Sequence, residues 1–534
     1  METLRIQNLR CLHDTGVVEL RPITILLGQN SSGKSTFLRV LPLLRQTVEA
    51  RTRSPLLWFG RLVDFGGFHE ALSSDATTKE ISLTLRVSLE GQGLNSMRRG
   101  FYGADFYFPY PMRDENAPPI PAQIKVNIAY DNERDIAYTR EVDTQIADNS
   151  ISFVVAADGR LETLSVNGRD LRHLFAEQVY HSFSTLSPIV RHSEIEKSES
   201  LPGLQRQRGL PLALVSLAQF VQRRMHGNTS LSTAIGLVRR IPLGNSQHTL
   251  EQVKRVFGAG TRGRVAGAAS WTQSSTEFSE LRDLCMALFL PQALDALNER
   301  IASLCRSIRY IEPLRATADR FYRFQDLAVD EIDPQGRNLP MFIHALSQGQ
   351  LEEFQKWTTN HFGFDIKPDR HAGHLSLLVN ECGRGVHNLA DSGFGYSQVL
   401  PIATQLWWQS TDRPTRYSRT GKPMREGGML AMEQPELHLH PRLQAQIADT
   451  FAAAVKHASE QNSPFRIVAE THSEPIVNRL GELIASKSLR ADQVNVVLFE
   501  REAVGTPAIV RCVEYDDKGY LKDWPYGFFN ADTK

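Results

Sequence analysis

The apolar positions of the first forty residues follow the period of strands and then that of a helix. "LRIQNL" (4–9) alternates and "VVELRPITILL" (17–27) ends as an apolar run against a glycine, while Phe37, Leu38, Val40, Leu41 and Leu44 recur at helical spacing. Period-two alternation returns in "KEISLTLRVSLE" (79–90), "AQIKVNIAY" (122–130) and "SISFVVAADGRLETLSVNG" (150–168), with turn signals at Asp131-Asn132 and Asp158-Gly159. "FYGADFYFPYPMRDENAPPIP" (101–121) reads as an aromatic, proline-rich loop, its rings better suited to core packing or a hairpin cap than to base stacking. From about 175 to 309 the pattern turns helical. Leu294, Leu297, Ile301, Leu304 and Ile308 keep a seam for barely two heptads, too short for a long coiled coil, so a compact helical lobe is expected. Two short apolar strands, "GGMLAMEQPE" (427–436) and Phe465–Ala469, each run into acidic residues.

Composition narrows this picture. At 534 residues the chain can hold two or more cores, and 41% hydrophobic with 22% charged residues is the balance of an ordinary soluble protein. "METLRIQNLRCL" lacks an apolar signal core and no run of eighteen apolar residues occurs, which disfavours secretion and membrane spanning and makes the cytoplasm the expected compartment. Five scattered cysteines without CxxC spacing argue against a zinc site or a disulfide framework. Sixty basic residues balance sixty acidic ones, yet Arg206, Arg208, Arg223, Arg224, Arg239, Arg240, Lys254, Arg255, Arg262 and Arg264 face the single acid Glu251 between Gly203 and Ser275. Such a stretch suits tracking a phosphate backbone, docking on an acidic partner, or covering the chain's own acidic part.

The chemistry starts at "GQNSSGKST", Gly28 to Thr36, a full G-x-x-x-x-G-K-[ST] match with a buried strand before it and a helical pattern after it. Gly28 and Gly33 let the backbone curl so that N–H groups of Asn30, Ser31, Ser32 and Gly33 face phosphates, and the following helix adds its positive end. Lys34 reaches the β- and γ-phosphates, and Ser35 and Thr36 complete the loop, with the Ser35 hydroxyl a ligand for Mg²⁺. The expected ligands are ATP and Mg²⁺. Far down the chain, "NLADSGFGYSQVLP" (388–401) sets Ser392 and Gly393 ahead of a helix. "MLAMEQPELHLHP" then delivers Glu433, Gln434 and Glu436, and "FRIVAETHSEP" follows with Glu470, Thr471 and His472.

That ordered set resembles the ABC-type ATPase head of SMC proteins, DNA-repair ATPases and OLD-like ATPases. "EQPELHLHP", "YIEPLRATADRFY" (310–322), "PQGRNLP" (334–340) and "DDKGYLKDWPYGFF" (516–529) look closest to the OLD-like group, including PtuA-type ATPases of Septu and retron-associated antiviral systems. The resemblance implies an α/β fold: an ABC-type head with a P-loop, a mixed sheet and flanking helices, and a large β-rich then helical insertion. The head would take residues 1–77 and 310–534, the β-rich insertion 78–174 and the helical basic insertion 175–309. Gly28 to Thr36 would be the Walker A loop, Ser392 and Gly393 the signature, Glu433 the Walker B magnesium ligand and His472 the switch histidine. Gln434 stands where such enzymes usually carry the catalytic glutamate; an amide there positions water without deprotonating it, leaving Glu436 and His472 as candidate bases or γ-phosphate sensors. EQPE also looks native to the group, which favours a natural residue over an engineered trap.

Heads of this kind pair with two ATPs sandwiched between one copy's Walker A loop and the other's signature, so the first expected partner is a second copy, in a homodimer or higher oligomer. No metal-binding D-x-D pair, H-N-H or PD-(D/E)xK arrangement occurs, and too little chain follows His472 for a Toprim nuclease domain, so any cutting falls to a separate nuclease such as an HNH protein. The resemblance implies an ATP-gated sensor or scaffold in bacterial antiviral defence, with DNA or RNA, including a retron msDNA, as a ligand of the basic segment; the amide of Gln434 adds the expectation of slow hydrolysis. The alternative is an SMC-like DNA-repair or chromosome-associated ATPase working without a nuclease; a transporter subunit fits the blocks less well.

Overall fold

The phosphate motif hangs from a six-stranded sheet drawn from both ends of the chain. The computed structural model describes residues 1–534 except 53, 90–118, 181–184, 196–209, 242–243, 259–264, 325–328, 330, 372, 382–384, 412–415, 418–422, 425–427, 462, 502, 504–505 and 525–534. Most of the aromatic loop 101–121, Arg206, Arg208, Arg262, Arg264, Cys382 and the end of the terminal block therefore lie outside the described residues. The sheet runs Ile308–Ile311, Met429–Glu433, Arg466–Glu470, Ile23–Gly28, Val494–Glu500, Ile509–Val513; the first five strands are parallel and the last is antiparallel.

Burial on both faces explains the apolar run before the motif. Every position of Ile23–Gly28 is buried. Leu26 joins a core with Phe37, Ala431, Val468 and Val497, whereas Ile25 and Leu27 join a second core with Leu430, Met432, Ile467 and Val496. A parallel strand covered on both sides has no solvent-facing positions to alternate with. The helix Lys34–Glu49 lies on the first face against the strands ending at Ile311, Glu433 and Glu470, backed by the long helix Thr276–Arg306. Helices Phe394–Ser410 and Pro441–Glu460 cover the other face, and Glu474–Ala485 packs on the latter. The parallel strands all present their C-terminal ends at one edge, the usual place for a ligand in such sheets.

A second, antiparallel sheet of nine strands explains the alternating segments. Thr3–Leu9 pairs with Leu12–Asp14, Val18–Glu19 and Ile81–Leu89, and the sheet then continues through Ile120–Asp131, Ile136–Ile146, Asn149–Val155 and Leu161–Val166 to Arg169–Asp170. The strands after the phosphate helix thus extend the sheet that Thr3–Leu9 begins, with Leu4 opposite Leu85 and Ile6 opposite Leu83. Four helices follow: Leu212–Gln222, Leu231–Val238, Ser246–Gly258 and Thr276–Arg306. Leu294, Leu297, Ile301 and Leu304 are buried in the same core as the sheet, so the short seam is spent on packing. A small four-stranded sheet, Tyr322–Arg323, Phe364–His371, His374–Glu381 and Gly385–Asn388, leads into the segment of Ser392. Among the described residues no helix is long and apolar enough to cross a membrane.

Buried polar groups fasten the long helix to the antiparallel sheet. Asp283, 2% exposed, accepts from Asn167 Nδ2 at 2.8 Å and Arg169 Nε at 3.2 Å, so the carboxylate is paired where the last strands end. The His192 ring stacks on Phe175 at 5.2 Å, with Nε2 3.1 Å from the Leu288 carbonyl. Burial pushes its pKa down to about 4 from 6.5. The unfolded chain therefore takes up this proton first as pH falls, and the folded state loses stability between about pH 6.5 and pH 4, on the order of 3 kcal/mol. Replacing His192 by Gln, which still donates to Leu288, should flatten that part of the pH dependence of the urea midpoint; an unaltered slope would contradict the assignment.

Candidate nucleotide site

The loop Gly28 to Gly33 is shaped by close backbone approaches that only glycine permits. Gly28 has φ 151°, and a Cβ there would lie 2.1 Å from the Phe499 carbonyl oxygen; Gly33, at φ 104°, would meet the Leu12 side chain at 2.7 Å. Ser31 also takes a positive φ of 61°, and its carbonyl accepts from Arg501 Nη1 at 2.9 Å. Asn30 and Ser31 are exposed, Ser32 is buried with its hydroxyl donating to the Gln29 carbonyl at 2.8 Å, and Ser35 and Thr36 are half-buried. Gly33 is the N-cap of the helix Lys34–Glu49 and brings no side-chain cap, so the first-turn N–H groups are left for an anion.

Lys34 is 3% exposed; its Nζ donates to the Gly28 and Gln29 carbonyls at 3.0 and 2.6 Å and lies 3.9 Å from Glu470 Oε1. Burial lowers its pKa, and the charges of Glu470 and Glu436 oppose that shift. An ammonium kept by carboxylates inside a glycine loop is set up to receive phosphate oxygens.

Two carboxylates stand at the ends of neighbouring strands. Glu433 and Glu470 are register partners, and both are 3% exposed. Glu433 is held by three donors: Arg39 Nε at 2.7 Å and Nη2 at 2.9 Å, and the Tyr310 hydroxyl at 2.5 Å. Arg39 lies one turn beyond Ser35, so the helix of the glycine loop clamps the Glu433 strand end across 394 residues of chain. Burial and the neighbouring carboxylate push the Tyr310 pKa upward, which keeps the hydroxyl a donor. Glu470 is different. Its Oε2 is buried with no hydrogen-bond partner among the described residues. Burial raises its pKa, the Ser35 hydroxyl facing it and the Lys34 and Arg39 charges pull it down, and Glu433 adds to the rise.

Beyond the strand ends the chain turns sharply. Gln434 has φ 43°, its N–H donates to the Glu470 carbonyl at 2.8 Å, and its own carbonyl faces the Arg315 guanidinium at 3.3 Å. Glu436 is half-buried, accepting from Thr471 Oγ1 at 2.7 Å and from the His472 N–H at 2.8 Å; burial raises its pKa against these bonds. The His472 ring is exposed, though flanking loops desolvate it in part, and that burial followed by the Lys34 charge lowers its pKa. Arg315 is 5% exposed, Nε is without a hydrogen-bond partner among the described residues, and burial pulls its pKa down to about 10 despite the Glu436 charge.

Ser392 and Gly393 sit apart from the loop. Gly393 is the exposed N-cap of Phe394–Ser410, and the Ser392 hydroxyl donates to the Asn388 carbonyl at 3.3 Å. No hydrogen bond or ion pair among the described residues joins either to Lys34. The link is instead to the turn after Glu433, where Phe394 meets the His438 ring edge-on at 5.1 Å. Of the basic residues, Arg223, Arg240, Lys254 and Arg255 are exposed, whereas Arg224 lies over the Phe220 ring at 3.7 Å and Arg239 is half-buried.

The structure therefore brings Lys34, Ser35, Glu433, Glu436 and His472 to one edge, and adds Glu470, Arg39, Tyr310 and Arg315, which sequence reasoning left without roles. For Glu470 a signal was present, since "MLAME" and "RIVAE" are consecutive apolar strands that each end in glutamate. Arg39 and Tyr310 sit inside apolar patterns, and only the fold aims them at Glu433. The donor set fits a magnesium nucleotide: a glycine loop leading into a helix start without a side-chain cap, one ammonium, a serine hydroxyl, and hard oxygen ligands including an open buried one.

Part of the chain matches a known family model. Residues 273–477 match the family model described as AAA ATPase domain, a span that begins after the phosphate loop and contains Ser392, Glu433, Glu436, Glu470 and His472. The match covers 205 residues of the chain, and the parallel sheet, loop and flanking helices have the α/β fold of an ABC-type ATPase head. Solved structures similar to it include an Smc head bound to the C-terminal winged-helix domain of ScpA (10% identity, TM-score 0.34, 96% of this chain and 98% of that one). An SMC head domain from Thermotoga maritima (10%, 0.30, 96% and 97%) and an Smc head with coiled coil and joint from Pyrococcus yayanosii (10%, 0.33, 97% and 97%) are also similar. No curated protein matches the chain.

The close approach of Gly28 to Phe499 makes a direct prediction. Gly28→Ala should cost more than about 2 kcal/mol of unfolding free energy, because the carbonyl it would strike is backbone. Gly236→Ala, in a helix with open space around it, should gain up to about 1 kcal/mol. Urea unfolding of both variants checks the pair.

Proposed function

We propose that the protein is an ATP-binding, slowly hydrolysing ATPase head of the OLD-like group that pairs with a second copy and serves as an ATP-gated sensor or scaffold in bacterial antiviral defence, controlling a separate nuclease. The observation that carries the ATP part is the convergence at one sheet edge of Lys34, Ser35, Glu433, Glu470, Glu436 and the His472 segment. Lys34 and the loop N–H groups would bind and orient the β- and γ-phosphates, and Ser35 with a carboxylate at the strand ends would hold Mg²⁺. When bound, Mg²⁺ neutralises charge on the phosphates.

Slow turnover follows from how the candidate bases are held. Gln434 can orient water through its amide but takes no proton. Both Glu436 oxygens already accept hydrogen bonds, from Thr471 and the His472 backbone. The helix start at half-buried Ser392 and exposed Gly393, with no hydrogen bond to its own Lys34 among the described residues, supports a paired arrangement in which it meets the partner's nucleotide. The PtuA-like motif block "EQPELHLHP" supports the defence role and the separate nuclease, and the exposed Arg223, Arg240, Lys254 and Arg255 support nucleic-acid contact by the helical lobe.

Two experiments test this reading. Lys34→Ala should weaken binding of a labelled ATP analogue by at least about tenfold, the loss of one charge-assisted contact to phosphate; undiminished binding removes the ATP claim. Reversing Arg240, Lys254 and Arg255 to Glu should weaken oligonucleotide binding and lower the slope of log K against log salt by about 0.9 for each lost duplex phosphate contact. An unchanged slope would assign these cations to an acidic protein partner instead.

A further inference from the structure

The position of Glu470 in the sheet goes beyond the Walker pattern. Its strand lies between that of Glu433 and that of the phosphate loop, with Glu470 in register with Leu26 on one side and Glu433 on the other. Adjacent strands are spaced by about 4.8 Å, so Glu470 stands one strand from the loop and Glu433 two. The two glutamates also differ in what occupies them. Glu433 has both oxygens engaged by Arg39 and one also by Tyr310. Glu470 keeps Oε1 near Lys34 Nζ at 3.9 Å, while Oε2 is buried without a partner among the described residues and the Ser35 hydroxyl lies nearby.

We propose that Glu470 is a ligand of the nucleotide-bound divalent cation, supplying beside Ser35 the open carboxylate oxygen that the clamped Glu433 does not offer. The proposal rests on the ATP reading above. A buried carboxylate oxygen without a donor is costly unless something completes it, and a hard cation does so without needing an N–H at that point. Mg²⁺ takes one or two protein carboxylates together with phosphate oxygens and waters, which matches a serine, Glu470 and the phosphates. Glu433 then acts as a positioning residue: through Arg39 it fixes the helix turn that carries Ser35, so the hydroxyl and Glu470 converge. The alternative place for a second carboxylate, the residue after Glu433, is an amide in this chain. Glu436, the next acid, is turned toward Thr471 and the His472 backbone.

The test uses the full chain and a non-hydrolysable ATP analogue in two arms. The first measures analogue affinity in EDTA, and the second measures Mn²⁺ affinity of the analogue-loaded protein by electron paramagnetic resonance. Glu470→Gln should lose about tenfold or more in Mn²⁺ affinity at saturating analogue, a loss larger than any change in its analogue affinity in EDTA, with Glu470→Asp recovering part of it. Mn²⁺ affinity equal to the parent's in Glu470→Gln overturns the proposal while leaving ATP binding intact. A parent protein that binds no analogue in either arm overturns the ATP reading and the inference with it. Should Glu470→Gln fail to fold by thermal unfolding, Glu470→Asp carries the test: weakened Mn²⁺ binding supports the ligand role and parental affinity contradicts it.

Discussion

The structure depends on one strand alignment, the insertion of Ile23–Gly28 between Arg466–Glu470 and Val494–Glu500. Those backbone ladders join residues more than four hundred positions apart, and every element of the site is placed by them. A parallel strand cannot reach its neighbours by a hairpin, so the chain between must travel out and return. It spends that length on the antiparallel sheet and the helical lobe, whose core is continuous with one face of the central sheet. The phosphate helix is the common wall: Phe37, Val40, Leu41 and Leu44 serve the core while Lys34, Ser35 and Arg39 serve the site.

Charge at the sheet edge is arranged as two linked pairs. Arg39 neutralises Glu433, and Lys34 faces Glu470, so two buried carboxylates in register can coexist. The pairs are unequal, since Arg39 makes a bidentate contact and Lys34 only a distant one. Phosphate and cation would therefore disturb the Lys34–Glu470 side first.

Much of this was legible in the residues. The strand, glycine loop and helix of Gly28 to Thr36 announce themselves because each type has one physical purpose at its position. The alternating segments after Lys79 are strands whose apolar positions face the core, while the polar positions between them range from buried Ser82 and Thr84 to exposed Arg86. What remained hidden depends on pairing across long separations. Arg39 and Tyr310 look like interruptions of apolar runs until the parallel register sets them against Glu433. Glu470 was visible as a strand end but gained its meaning from lying between Glu433 and Leu26. That Thr3–Leu9 and Ile81–Leu89 share a sheet is likewise a matter of register, which local periodicity does not encode.

The central claim is that the two ends of the chain build one nucleotide site at the sheet edge. Amide hydrogen exchange of the intact protein, with and without a non-hydrolysable ATP analogue and Mg²⁺, measures it at once. Added protection should appear together in Gly28–Thr36, in Glu433–Glu436 and in Glu470–Ser473. Protection confined to the phosphate loop, or absent from all three segments, would contradict the account.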